Sequence, residues 1–351
     1  MIEKERHESI LLLLQSSRAV QEDHLRGNCM IHKIYEAGYL KEYKYVVILS
    51  EMEGKFLLSR HGKRSTWETQ GGHVEPGETP MAAAKRELYE ESGAVDFYIT
   101  PLCDYWMGTE DGKSGDNGMF FKAVIHGCSS LPVSEMAEVK LFDKLPENLT
   151  YPEITHDLFR CWEEHKTEVP SRYIAEMLLE EGAEHNPGNW VSHSRYVAMA
   201  AEQIAAKCSG MDVDTAYVCG LLHDIGRRFG ISQMAHIYNG YHYLMELGYP
   251  KAAQIVLSHS FNLKKLDDYI GKFDISKEQQ AELGTLLENA VFDDYDYLIQ
   301  LCDSIAKPDG IVSLEERMED VKSRYGHYPQ EKLDRNQELQ AYFEKKAQNG
   351  K

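Results

Sequence analysis

Apolar and polar positions change their period once along the chain. From Tyr45 to about Ile125 the apolar runs are short and strand-like. Val46–Leu49 and Phe56–Leu58 flank Glu53-Gly54, a dipeptide that predicts a hairpin, and further strands are expected over 97–102 and 119–125. One helix, over 80–92, interrupts them, and a turn-rich stretch covers 127–132. From about Tyr151 the spacing becomes helical and stays so, with helices expected over 154–165, 171–181, 190–208 and 213–223 and more beyond. Ahead of both regions, Ile10, Leu11, Leu13 and Leu14 stand among charges and predict an N-terminal helix. Its apolar stripe would pack on the following domain or on a partner subunit, so a homo-oligomer is one expected arrangement.

The pattern therefore predicts a multidomain α and β protein, an α+β half followed by an all-α half. A length of 351 residues suits two cores better than one. The join is expected in the polar segment 163–171, where Pro170 opens a new helix, giving domains of 1–167 and 168–351.

Composition narrows the function classes. An apolar fraction of 42% and a charged fraction of 27% are those of an ordinary globular chain, and the longest N-terminal apolar run, Ile10–Leu14, is too short for a membrane span. Met1–His7 lacks the basic start of a secretory signal, so a cytoplasmic protein is expected. Seven cysteines, scattered singly with no CxxC spacing, read as reduced thiols in core packing. The net charge of −19 is shared almost evenly by the two halves, which argues against an indiscriminate grip on nucleic acid. Anionic substrates would need divalent cations as adaptors.

The helix over 80–92 carries the first chemistry. Thr79 can cap it, Pro80 fits its first position and Gly93 can end it. Glu87, Glu90 and Glu91 stand at i, i+3 and i+4, on one face, where three like charges repel unless a dication joins them. Carboxylate oxygens suit Mg²⁺ or Mn²⁺, which neutralise phosphate and lower the pKa of bound water, with a glutamate able to take the proton. The bland alternative is a solvated acidic face. Against it stands the full register of Gly72, Glu78, Arg86, Glu87, Glu90, Glu91 and Gly93, which resembles the Nudix box: G, five residues, E, seven residues, then REUXEEXGU. Leu88 fills the first U, and Ala94 is smaller than the second usually is. The resemblance implies an α/β/α sandwich over about 28–160, with Glu87, Glu90 and Glu91 as metal ligands and Glu90 and Glu91 in the catalytic roles. Glu78 and Arg86 would orient the cluster, and Gly71 and Gly72 would allow close backbone approach. WETQGGHVEPGE looks like Nudix enzymes acting on nucleoside triphosphates, including oxidised purine nucleotides. Trp67, with Tyr105 and Trp106, is the candidate for stacking on a base, against core packing as the plainer role.

In the helical half, His193, then His223-Asp224-Ile225-Gly226, then Asp303 occur in an order that resembles the HD superfamily of metal-dependent phosphohydrolases. A lone histidine is usually structural, but these four in family order imply ligands converging from separate helices of an all-α domain over about 170–330. His236 and His259 fall where HDIG-type members with two metals carry further histidines, and His242 competes with His236. Mixed imidazole and carboxylate ligands suit one or two transition ions, Mn, Fe, Co, Ni or Zn, with Asp224 as the catalytic bridge. Adjacent helical residues point about 100° apart, so a ligating His-Asp pair favours a helix end. Arg195 and Lys264, with Arg227 and Lys265, are the cations available to hold phosphate.

Together the two resemblances imply a bifunctional nucleotide phosphohydrolase with small-molecule nucleotide substrates. The first site would open a nucleoside triphosphate or related diphosphate. The second would cleave a phosphomonoester such as the resulting monophosphate. The rival expectations are dinucleoside polyphosphates, alarmones or cyclic nucleotides as substrates, or one domain acting as a nucleotide sensor for the other.

Overall fold

The structure, a computed structural model, describes residues 30–110, 114–164 and 167–349, so the expected N-terminal helix lies outside the described residues. Apolar alternation in the first half builds one mixed sheet: β1 (Met30–Glu36), β2 (Tyr45–Met52), β3 (Lys55–His61), β4 (Gln70–His73), β5 (Ala94–Thr109), β6 (Gly115–Cys128) and β7 (Met136–Phe142). The order is β1-β5-β6-β2-β3-β7, with β4 beside β2, and only β2 and β6 run parallel. The β2–β3 hairpin closes at Met52↔Lys55, with Glu53 and Gly54 both at positive φ as a two-residue turn demands. β5 and β6 are longer than the apolar runs suggested, and β1, β4 and β7 were not expected.

Helix α1 (Pro80–Ser92) covers one face of this sheet and α2 (Pro152–Glu164) the other. Met119, Phe121, Ala123 and Ile125 alternate along β6 and pack with Val46 and Ile48 against Met81, Ala84 and Leu88 of α1. Phe120, pointing the opposite way, joins Leu49, Phe56 and Cys103 against Leu158 and Cys161 of α2. The first half is thus the expected helix-sheet-helix sandwich.

The second half contains α3 (Arg172–His185), α4 (Asn189–Ala205), α5 (Val213–Leu222), α6 (Ala235–Leu247), α7 (Pro250–Ser258), α8 (Lys277–Asn289), α9 (Asp294–Asp303), α10 (Leu314–Tyr325) and α11 (Gln330–Asn349). Leu178, Val218, Leu222, Leu244 and Val256 form its main core. The expectation of an all-α domain needs one correction. A two-residue hairpin, Ala306–Lys307 against Gly310–Ile311, turns the chain between α9 and α10. Among the described residues no helix is long and apolar enough to cross a membrane. None of the described cysteines is in a disulfide, five of them being buried and Cys128 exposed.

The halves touch through specific pairs. The Tyr98 ring of β5 meets Tyr243 of α6 edge-on at 4.8 Å, and His126 Nε2 lies 2.6 Å from Glu246 Oε2. Just past α2, the Glu168 carbonyl accepts the Lys251 N–H at the start of α7.

Candidate metal centres

Local sequence fixes the α1 site. Thr79 accepts the Ala82 N–H, Pro80 occupies the first turn, and Gly93 ends the helix at φ 76° while its N–H returns to the Tyr89 carbonyl. The helix then lies hard against β4. A Cβ on Gly72 would come within 2.1 Å of Glu87 Oε1 and displace that carboxylate, and one on Gly71 would lie 2.4 Å from the Val46 carbonyl of β2, so Gly71 keeps β4 close to its partner strand. Gly71 N–H donates to Glu91 Oε2 at 2.8 Å.

Arg86 organises the remaining carboxylates. Its guanidinium donates to both oxygens of Glu78, at 3.0 and 2.9 Å, to Glu87 at 2.8 Å and to Glu90 at 3.3 Å. Glu91 is different, since it is buried. Burial pushes its carboxyl up to about 8, the Gly71 N–H opposes this, and the neighbouring Glu87, Glu68 and Glu135 charges add to the rise. Glu87, Glu90 and Glu91 do not bring three ligand atoms within 4.8 Å of one another; among the described residues only the helical half does so. What fits a dication here is the donor set, hard carboxylate oxygens carried on one helix face.

The helical half assembles its site from five segments. His193 projects from α4. Helix α5 stops at Leu222, His223 still has helical angles, and Asp224 leaves them at φ −106°, ψ 13°, so the adjacent pair sits at a helix end. Gly226 allows α6 to cross closely: a Cβ there would lie 1.8 Å from the His236 carbonyl and 2.7 Å from Gly240 N. That crossing delivers His236. His259 follows the last residue of α7, and Asp303 is the last of α9.

Two ligand sets result, His193-His223-Asp224 and Asp224-His236-His259, each with its donor atoms within 4.8 Å. Asp224 belongs to both. Asp224 Oδ1 is 3.1 Å from His236 Nε2 and 3.7 Å from His259 Nε2, and His193 Nε2 is 2.9 Å from Asp303 Oδ1. Hydrogen bonding selects the tautomers. The Nδ1 atoms of His223 and His259 meet the carbonyls of Gly220 and Val256 at 2.7 Å each, and His236 Nδ1 meets the Gln233 carbonyl. A carbonyl accepts only, so Nδ1 carries the proton and Nε2 presents its lone pair to the centre. His223 Nε2 is buried with no hydrogen-bond partner. Burial lowers the His223 imidazole and lowers that of His259 to about 3, keeping both neutral. Burial opposes ionisation of Asp224, but the Arg227 guanidinium leads the influences that hold its carboxyl well below the usual range. Neutral imidazoles around ionised carboxylates are the donor set a divalent transition ion takes.

Several predicted residues lie elsewhere. His242 faces Glu282 at 3.3 Å on the outer side of α6, which leaves His236 as the inward histidine. Trp67 is buried with Leu58, Leu149 and the edge-on ring of Phe142, so it is core rather than an accessible stacking platform. Arg195 pairs with Glu176 at 2.5 Å, and Lys264 donates to the Ala290 carbonyl at 2.6 Å; neither lines the cavity above the ligands. That cavity, of about 640 Å³, has walls drawn entirely from residues between Asn186 and Lys332. Its cations include Arg227, whose Nε donates to Asp224 Oδ2 at 2.5 Å, and Arg317 and Arg324 of α10, which the sequence reading missed. Their only signal was a spacing of seven residues on one helix face.

A family model of the NUDIX domain matches residues 42–126, and one of the HD domain matches residues 190–307. A Bacillus subtilis (strain 168) protein described as "Putative 8-oxo-dGTP diphosphatase YtkD" is 34% identical over 108 residues, 30% of this chain and 66% of that protein, just under two thirds of its length. Among solved structures, the Bacillus subtilis pyrophosphohydrolase BsRppH aligns at 24% identity over 39% of this chain and 91% of its own, with a TM-score of 0.34. The NUDIX domain of Shewanella oneidensis NrtR complexed with ADP ribose aligns at 18% identity over 38% and 94%, with a TM-score of 0.30.

Proposed function

We propose, for a chain whose N-terminal half carries a NUDIX domain and whose C-terminal half carries an HD domain, a two-step hydrolysis of nucleotides at two separate metal sites. Both domains are of hydrolase families that depend on divalent metals. At the first site a nucleoside triphosphate and water give monophosphate and pyrophosphate. At the second, monophosphate and water give nucleoside and orthophosphate. The domains are assigned to 1–167 and 168–351, and the cytoplasm is the compartment in which the chain's thiols stay reduced.

The observation that carries the reading is the buried pair of ligand sets sharing Asp224 at the floor of a cavity with cationic walls. The metals when bound, Mg²⁺ or Mn²⁺ at the first site and one or two transition ions at the second, neutralise phosphate and acidify water. The chain's own groups do the rest. Glu87, Glu90 and Glu91 provide oxygen ligands, and Glu90, the more exposed, is placed to accept a proton. Arg86 holds Glu87 and Glu90 in register. In the HD half, Asp303 would join His193, His223 and Asp224 in holding a metal, and Arg227 keeps Asp224 ionised and directed at the centre. The relative described as acting on 8-oxo-dGTP supports a purine nucleoside triphosphate as the first substrate.

Among the described residues, the walls of the HD cavity include none of the N-terminal half, so the monophosphate would pass between sites through solvent. The test is a panel of nucleotides under Mg²⁺, Mn²⁺, Co²⁺ and Fe²⁺ with pyrophosphate and orthophosphate resolved. Pyrophosphate from a triphosphate together with orthophosphate from its monophosphate is expected. Failure of the wild-type protein to convert any monophosphate would remove the second step.

A further inference from the structure

Helix α10 begins beyond the residues matched by the HD family model, yet it forms one wall of the HD cavity. Leu314, Arg317, Met318, Val321 and Arg324 recur at three- and four-residue spacing, so a single face of the helix is turned inward. The charged part of that face is organised. Asp320 Oδ2 accepts from Arg317 Nη1 and from Arg324 Nη2, each at 2.8 Å, which gathers two guanidinium groups around one carboxylate oxygen. Arg317 also reaches the metal end, because its Nε donates to the Asp303 carbonyl at 3.4 Å and its Nη2 lies 3.9 Å from Asp303 Oδ1. The latter distance exceeds a hydrogen bond, so Nη2 lies beside the Asp303 carboxylate without donating to it.

The cavity's charge is the reverse of the protein's. A chain with a net charge of −19 lines this one pocket with five cationic side chains against three carboxylates, two of which are the candidate ligands Asp224 and Asp303. Arginine forks match phosphate oxygens in pairs. The remaining wall mixes polar side chains such as Asn189, Ser232 and Asn262 with the rings of Trp190, Tyr269 and Tyr328, which could meet a sugar and a base.

We propose that α10 is the substrate-recognition wall of the HD site, in which Arg317, aided by Arg324, binds the phosphate that reacts, selecting a mononucleotide-sized phosphomonoester with an aromatic base. The site's hydrolytic role rests on the function proposed above, but the phosphate-binding role does not. Arg317 therefore touches substrate and is not a support for the ligand Asp303.

The test uses the full chain loaded with Mn²⁺, comparing wild type with Arg317→Gln, Arg317→Lys and Arg324→Gln. Inorganic phosphate binding is read by calorimetry, metal content by elemental analysis, and turnover of a purine monophosphate by orthophosphate release. Arg317→Gln is expected to weaken phosphate binding by about 10- to 100-fold, the worth of charge-assisted hydrogen bonds, with metal content unchanged and Arg317→Lys recovering part of the loss. Arg324→Gln, at a half-exposed position, should weaken binding less and raise KM more than it lowers kcat. Phosphate affinity equal to wild type in both glutamine variants would overturn the proposal. So would loss of metal from Arg317→Gln, which would make Arg317 a positioning residue for Asp303, or absence of phosphate binding by the wild type. If the wild type binds phosphate in an Arg317-dependent way yet hydrolyses no monophosphate, the recognition wall stands and the hydrolytic reading falls.

Discussion

Lys85 Nζ of α1 lies 2.8 Å from Glu181 Oε1 of α3, one residue before the arginine that organises the NUDIX carboxylates. Glu181 also faces Arg228 Nη2 at 2.5 Å, one residue after the arginine that grips Asp224. Both partners of this second pair are buried, Glu181 at 5% exposure and Arg228 at 7%. Burial would raise the Glu181 carboxyl, but Arg228 and Lys85 outweigh it and hold it below its ordinary value.

Glu181→Gln should therefore destabilise the protein by about 3–5 kcal/mol, because it strands a buried guanidinium. A carboxyl lowered in the fold contributes stability that is complete above its ordinary value of 4.5 and is lost as pH falls toward the depressed one. Chemical denaturation should then show the gap between wild type and variant narrowing below about pH 4.5. A gap that stays constant through that range would assign the loss to packing.

A second expectation concerns Glu91, whose carboxyl is pushed up to about 8 by burial and by neighbouring carboxylates. Near neutral pH the metal-free carboxyl is largely protonated, so binding Mg²⁺ must expel that proton. Affinity should rise roughly tenfold per pH unit below 8 and level off above it. Calorimetry in buffers of different ionisation enthalpy measures the proton released. Glu91→Gln should abolish the release, and persistence of it in that variant would point to another group.

The shared carboxylate makes a stoichiometric prediction. If the two ligand sets each hold an ion, His193→Ala and His236→Ala should each remove one, while Asp224→Ala should remove both. Elemental analysis of protein never exposed to chelator decides this. Equal metal content in wild type and Asp224→Ala would eliminate the site.

Much of this arrangement is legible in the sequence because it is local. The α1 helix is set by Thr79, Pro80 and Gly93 within its own turns, and the box register follows from it. The His-Asp pair likewise needs only a helix that stops at Leu222. Strands decided by distant partners are not legible. β4 reads QGGH, with neither alternation nor β-formers, and exists because Val46 and Val47 pair with Gly72 and Gly71. Trp67 stood beside the box in sequence, yet Phe142 of β7 and Leu149 claim it for a core. Phosphate-binding cations were sought near the motifs, at Arg195 and Lys264, whereas tertiary folding brings Arg317 and Arg324 from α10. His236 could have been separated from His242 by period alone, since Ile237, Gly240, Leu244 and Leu247 mark the buried face of α6 and His242 falls off it.

The two sites should also be separable, because one is built on β4 and α1 and the other on α4 to α10 with its own cavity. His223→Ala combined with Asp224→Ala should stop orthophosphate release while pyrophosphate release continues, so monophosphate accumulates from a supplied triphosphate. Glu90→Gln should do the reverse, leaving the triphosphate intact and a supplied monophosphate still hydrolysed, with helical circular dichroism unchanged in each variant. Since none of the described N-terminal residues lines the HD cavity, the intermediate is expected to enter solvent between the steps. An excess of unlabelled monophosphate added with labelled triphosphate should therefore dilute the label in the nucleoside product to the level of free mixing. Label retained above that level would reveal direct transfer. If either variant silences both reactions while folded, the Lys85–Glu181–Arg228 linkage is carrying information between the sites. Glu181→Gln should then uncouple them, restoring independent response of each reaction to its own substitution.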